Sequence, residues 1–186
     1  RGDGKYLRAL VPVEGGWEDA WKVNMNQVGV DLLTGCRADR CFSWERPYSG
    51  TTSSLVCRSS LTGEEVARVA APVDFAYQLV PTPDGSMVVI RKGADLYVWE
   101  VGGEVKKVKM GSRKHFFALV LHPDGRHLLA GNNDGTVWII DTRSWQTVKQ
   151  YVWDIKQVNV LAVSPDGTLA AAGGTKGRVV VWDLDL

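Results

Sequence analysis

Three observations predict an all-β chain built from repeated four-stranded units. First, one pattern is copied along the back half of the chain, over residues 79–101, 119–141 and 161–185. Second, two independent landmarks keep its period. Pro-Asp-Gly recurs from Pro83, Pro123 and Pro165, in steps of 40 and 42. A closing bulky-plus-acid pair recurs as Trp99-Glu100, Ile140-Asp141 and Trp182-Asp183, in steps of 41 and 42. Third, short runs of Val, Ile, Leu and Trp alternate with turn residues inside each copy, the signature of antiparallel strands.

The middle copy shows the elements in order. Residues 116–122 form a first strand, and Pro123-Asp124-Gly125 the turn after it. Proline presets its own φ, aspartate bonds forward to the backbone, and glycine supplies a positive φ. Residues 127–131 form a second strand, Asn132-Asn133-Asp134-Gly135 a hairpin turn, and residues 136–141 a third strand. A more polar fourth strand follows at 146–151. A degenerate copy fits upstream, with Gly29 on Gly125, Gly35 on Gly131, and Trp44-Glu45 on Ile140-Asp141. From Trp44 to Trp99 the step is 55, so about 13 residues are inserted relative to the period, and the polar stretch 47–54 is their expected place. Four strands in about 40 residues is the period of a β-propeller blade. The expected blades run over about 22–70, 76–110, 116–151 and 159–186.

Pro-Asp-Gly after a first strand and Trp-Asp closing a third resemble the tryptophan–aspartate (WD) repeat family of β-propellers. The resemblance covers residues 23–183. It implies that the first strand of each blade lines a central channel and the fourth lies outermost. The chain departs from the family in two ways. The Gly-His before the first strand is absent, Gly111-Ser112 standing nearest to it, and the buried aspartate of the second hairpin survives only as Asp134. Ala38, Gly93 and Lys176 take its other places. The blades must therefore rely on apolar packing, as in divergent, often bacterial, members.

Residues 5–11 read as an outer strand, and the last copy stops after its third. That strand is a possible closing strand for the last blade, the family's usual way of closing its ring. Four blades are few for such a ring. Three arrangements fit: a four-bladed ring, a two-chain ring of eight, or part of a longer propeller, which a start at Arg1 favours. Open blades would leave apolar faces and strand edges bare.

Composition narrows the partners. The 186 residues carry 22 basic and 21 acidic side chains, a net charge of +1, so no global field favours nucleic acid or a membrane surface. No apolar run approaches a membrane span. Cys36, Cys41 and Cys57 read as buried thiols of a reducing, cytoplasmic protein, with a Cys36–Cys41 bridge open if the chain is exported. No histidine lies near that cysteine pair, so no metal centre is expected.

Nothing marks an enzyme or a bound cofactor. His115, His122 and His127 all fall in or beside one copy, and His122 takes a repeat position held elsewhere by Thr82 and Ser164. No nucleophile context or phosphate-cradling loop is present. Binding has better support. Trp21, Tyr77, Phe117 and Asn159 share one repeat position at the entry to each innermost strand. Aromatics there would form an arc around the channel mouth or pack between blades. Trp17 and Trp153 lie in loops among polar neighbours and are the expected exposed tryptophans. Trp145 reads as a blade-edge filler, whereas Trp44, Trp99, Trp138 and Trp182 read as third-strand core. The basic run Lys106-Lys107-Val108-Lys109 with Arg113-Lys114 reads as a soluble strand edge, and Arg1-Gly2-Asp3 as a chance tripeptide. The expectation is a non-catalytic platform that binds a protein or peptide through loops on one face. A propeller enzyme or small-ligand site at the channel mouth is the alternative.

Overall fold

The computed structural model describes residues 6–34, 37–110 and 114–186. Over them the chain is all β, with seventeen strands and no helix. β1 (Tyr6–Val13) and β2 (Gly16–Asn24) form a hairpin. Three four-stranded antiparallel sheets follow: β3 (Val28–Leu33) to β6 (Glu65–Ala70), β7 (Gln78–Pro81) to β10 (Val105–Val108), and β11 (Phe116–Leu121) to β14 (Thr147–Val152). The last sheet has three strands: β15 (Val158–Val163), β16 (Leu169–Gly174) and β17 (Val179–Asp183). We number these sheets as blades one to four. The remaining strands are β4 (Arg40–Pro47), β5 (Ser54–Ser59), β8 (Met87–Lys92), β9 (Asp95–Glu100), β12 (His127–Asn132) and β13 (Thr136–Asp141).

The turns follow the sequence logic. Gly85, Gly125 and Gly167 close the Pro-Asp-Gly turns at φ of 66°, 70° and 78°, a region that favours glycine. The closing acid braces its own turn. Asp141 accepts the Arg143 and Ser144 amides, each at 2.9 Å, and Arg126 Nε at 2.7 Å. Those bonds, the Ser144 amide first, hold its carboxyl well below the usual range. Asp134 sits exposed in its hairpin and accepts Thr136 Oγ1 at 2.6 Å, so it makes a turn bond and not a buried one.

Blade contacts are apolar wedges. Phe42, Trp44, Leu55 and Cys57 meet Val88, Ile90 and Trp99 between blades one and two. Val89, Leu96 and Val98 meet Leu128, Ala130 and Ile140 between two and three, and Leu129, Val137 and Ile139 meet Ala170, Ala172 and Trp182 between three and four.

Two expectations change. Residues 5–11 do not close the last blade, because β1 pairs along its length with β2, and β17 pairs with β16 alone among the described residues. Trp44-Glu45 lies on the second strand of blade one, not the third. The third is β5, so the count of about 13 came from the slipped register, although the 47–54 turn is still lengthened: eight residues separate the paired Glu45 and Ser54 where two separate Lys92 and Asp95 in blade two. The template slipped because Arg58-Ser59 occupies the closing position. Ser59 N takes Glu64 O at 2.9 Å, as Asp141 N takes Gln146 O at 3.0 Å.

On the front of blade one, the face away from blade two, Glu45 accepts Arg58 Nη2, Arg68 Nη2 and Ser43 Oγ at 3.0, 3.0 and 2.8 Å. At the other end of the arc, Val179 and Val181 stand 71% and 62% exposed on the rear of blade four.

A candidate interaction site at the channel mouth

β7, β11 and β15 are the innermost strands of their blades. Tyr77 precedes β7 and donates its amide to Arg91 O at 2.8 Å. Phe117 and Asn159 are bulge residues, where the ladders step from Phe116 to Ala118 and from Val158 to Val160. A bulge leaves one residue unpaired and re-aims its side chain. All three converge on one cleft of about 270 Å³ with Gln78, Arg91 and Leu119. Tyr77 and Phe117 are 55% and 37% exposed, so they are not fillers between blades. Gln157 Nε2 donates to Asn159 Oδ1 at 2.7 Å, leaving the Asn159 amide group free to donate outward.

Arg91 is the residue the sequence reading missed. It stands on β8 where blades three and four carry Gly131 and Gly173, so laying the copies together would have shown it. Those glycines let neighbouring strands approach, since a Cβ on Gly131 would lie 2.5 Å from Val158. Arg91 instead reaches across, donating Nη1 to Phe116 O at 2.7 Å, with its guanidinium 5.2 Å from the Tyr77 ring centre. Its Nε is buried and has no partner. Burial pulls its pKa below the usual 12.5 and the Tyr77 hydroxyl pushes the other way, yet a guanidinium remains a cation in a protein. Phe75 meets Tyr77 edge-on at 5.4 Å, and Lys92 Nζ lies 4.7 Å from the Phe75 ring centre. The mouth is thus an aromatic rim over a positive floor. Gln78 fixes that floor, its amide donating to Leu119 O at 2.8 Å and accepting Leu119 N at 3.0 Å.

The other candidates lie elsewhere. Trp21 is on β2, not at the entry to blade one. Its Nε1 donates to Ser60 O at 2.7 Å, and its ring covers Gly63 so closely that a Cβ there would meet it at 2.5 Å. Trp153 is packed, stacked on Tyr151 at 6.0 Å and tilted against Trp182 at 5.5 Å. Its polar neighbours Asp154 and Lys156 misled because only they face water. Trp17 is 67% exposed near the tip of the β1–β2 hairpin, and it does not line the cleft. Gly35, Cys36, Gly111, Ser112, Arg113 and residues 1–5 lie outside the described residues, so the Cys36–Cys41 bridge, Arg113 and the Arg1-Gly2-Asp3 tripeptide do too. The cleft's lining includes no carboxylate, histidine or thiol, so no nucleophile–base pair faces it.

The WD40 family (WD domain, G-beta repeat) matches residues 105–141 and 147–183. Each match runs from an outermost strand through the three inner strands of the next blade. The chain thus carries two repeats that match the WD type. It is similar to the WD repeat-containing protein SL1-17 of Schistosoma mansoni, 24% identical over 182 residues, which is 97% of this chain and 57% of that protein. It is also similar to Protein groucho of Drosophila melanogaster, 24% identical over 106 residues, 55% of this chain and 14% of that protein. The chain therefore spans little more than half the length of the first relative, and far less of the second. WD-repeat proteins generally act as protein-interaction scaffolds, and this chain has the rigid sheets and short loops that such a role uses.

Proposed function

We propose that this WD-repeat chain is a non-catalytic platform that binds a protein or peptide at the channel mouth. The carrying observation is the exposed pair Tyr77 and Phe117 over the half-buried Arg91. Aromatic and arginine side chains dominate interface hot spots, and a floor already fixed by Gln78 loses little ordering entropy on docking. A small-ligand site is favoured less, because the polar groups at the floor, Gln78 and the Arg91 Nη1, are already bonded to the backbone of the next blade. The near-neutral charge supports a protein partner over nucleic acid or membrane. Replacing Tyr77 and Phe117 together by alanine is expected to weaken partner binding by about 30-fold or more, at an unchanged unfolding temperature. Unchanged affinity in that variant, measured by titrating the captured partner, would rule the cleft out. Trp17→Ala tests the hairpin tip in the same assay, and a loss there would move the site.

The exposed Val179 and Val181 also support a reading in which further blades cover the rear of blade four. They would come from a longer chain or from a second copy closing a ring. Light scattering decides between them. A discrete dimer supports the second copy, and a single-chain mass supports the continuation.

A further inference from the structure

His122 and His127 flank Asp124 at the turn between β11 and β12, and the other blades provide an internal comparison. Where His122 stands, blades two and four carry Thr82 and Ser164. Their hydroxyls donate to the turn aspartates, Thr82 Oγ1 to Asp84 at 2.6 Å and Ser164 Oγ to Asp166 at 2.5 Å. Where His127 stands, they carry Met87 and Leu169. Only blade three sets two imidazoles against its turn aspartate. His122 Nδ1 lies 3.0 Å from Asp124 Oδ1, and His127 Nδ1 lies 2.7 Å from Asp124 Oδ2. One ligand atom from each of the three residues falls within 4.8 Å of the others.

The tautomer of His122 makes this arrangement unusual. Its Nε2 lies 2.9 Å from Gly167 O, which can only accept, so Nε2 carries a proton. In a neutral ring, Nδ1 is then a lone pair. It accepts the Asp124 amide at 3.2 Å, but it also faces the carboxylate, a second acceptor. Two acceptors that close repel each other unless a positive charge lies between them. A histidine whose far nitrogen donates to a backbone carbonyl is the usual outer support of a metal-bound imidazole. Asp124 Oδ1 also accepts the Arg126 and His127 amides at 2.8 and 3.1 Å, bonds that a carboxylate takes and that leave its second oxygen to His127. Arg126, the nearest cation along the chain, is turned away to Asp141 at 2.7 Å.

We propose that His122, Asp124 and His127 bind a divalent first-row transition ion, with zinc the natural occupant. Two imidazoles and one carboxylate suit such an ion, and water completes the shell on the open side. Zinc bonds of about 2.0–2.2 Å set ligand atoms roughly 3.3 Å apart, against imidazole–carboxylate spacings of 3.0 and 2.7 Å and a third spacing within 4.8 Å, so the three groups need only small side-chain adjustments to share one ion. Because His122 also holds Gly167 O, a bound ion would tie the first turn of blade three to that of blade four.

The test is calorimetric titration of the metal-stripped protein with zinc chloride, with cobalt(II) absorption to report the ligands. One ion per chain is expected, with a cobalt spectrum free of thiolate charge transfer and an unfolding temperature raised at saturation. His122→Ser and His127→Leu install blade four's own residues and keep the turn's Ser–Asp bond available. Each is expected to weaken zinc binding by at least about 10-fold while the metal-free unfolding temperature changes little. His115→Ala should leave affinity unchanged. Absent binding, affinity unaffected by both variants, or a thiolate band from the cysteines would each overturn the site. So would an unfolding temperature that depends on pH through His122 but ignores zinc, since a proton would then occupy Nδ1.

Discussion

Glu45→Ala is expected to lower the unfolding free energy by about 3–5 kcal/mol, the cost of stripping one partner from a buried ion pair. The Glu45 side chain is 1% exposed and that of Arg58 8%, so the guanidinium, left with only Glu65 at 3.6 Å, could not recover water. Arg68 is half exposed and keeps Glu65 at 2.7 Å, so the loss falls mainly on Arg58. The repeats also suggest the rescue. Arg58 occupies the place of Trp99, Ile140 and Trp182, and Glu45 that of Lys92, Asn132 and Gly174. Glu45→Ile with Arg58→Trp, the latter giving position 58 the residue of blade two, should recover most of the loss, because apolar replacement of a whole buried pair is often neutral or stabilising. Urea unfolding of the three variants checks this. A loss under about 1 kcal/mol for Glu45→Ala would mean the network is effectively wet.

Trp99→Ala should cost a similar amount, about 3–5 kcal/mol, through a different mechanism. Trp99 is fully buried between blades one and two, edge-on to Phe42 at 6.0 Å, and its Nε1 donates to Gly103 O at 3.1 Å. Truncation leaves a cavity that two sheets cannot close by side-chain motion alone. The unfolding temperature is expected to fall by about 6–20 °C for a domain of this size. Trp145→Ala is the comparison. Trp145 is only partly buried against the next wedge, so its truncation should cost distinctly less. Equal losses in the two variants would mean that the wedge between blades one and two is not specially filled.

Blades two to four were readable because their turns need particular residues. A glycine with positive φ after Pro-Asp, and an acid that accepts its own turn's amides, recur whatever the strands carry. Blade one hid its register because its third strand ends in Arg58-Ser59, while its second strand carries Trp44-Glu45 and mimics the missing signal. The cleft was half readable. Tyr77, Phe117 and Asn159 share a repeat position, so counting found them. Arg91 replaces glycines, and its reach across to Phe116 O depends on how closely blades two and three pack. Trp21 and Trp153 failed for a related reason, since neighbouring polarity in sequence does not say which side of a strand or loop meets another sheet. His122 and His127 were visible one at a time as repeat positions, but their convergence on Asp124 required the turn's geometry.

The front of blade one and the rear of blade four make the arc directional. Blades two, three and four each present an aliphatic or tryptophan front to the blade before them, whereas blade one presents Arg68 and Glu65 beside the buried Glu45–Arg58 pair. The rear of blade four, with Val179 and Val181, resembles the rears that accept those apolar fronts. A second copy docking head to tail would bring the partly exposed Arg68 and Glu65 against two valines, and their desolvation would oppose the contact. A blade seated behind blade four is therefore sorted by the polarity of its leading face, an apolar front docking more readily than a charged one.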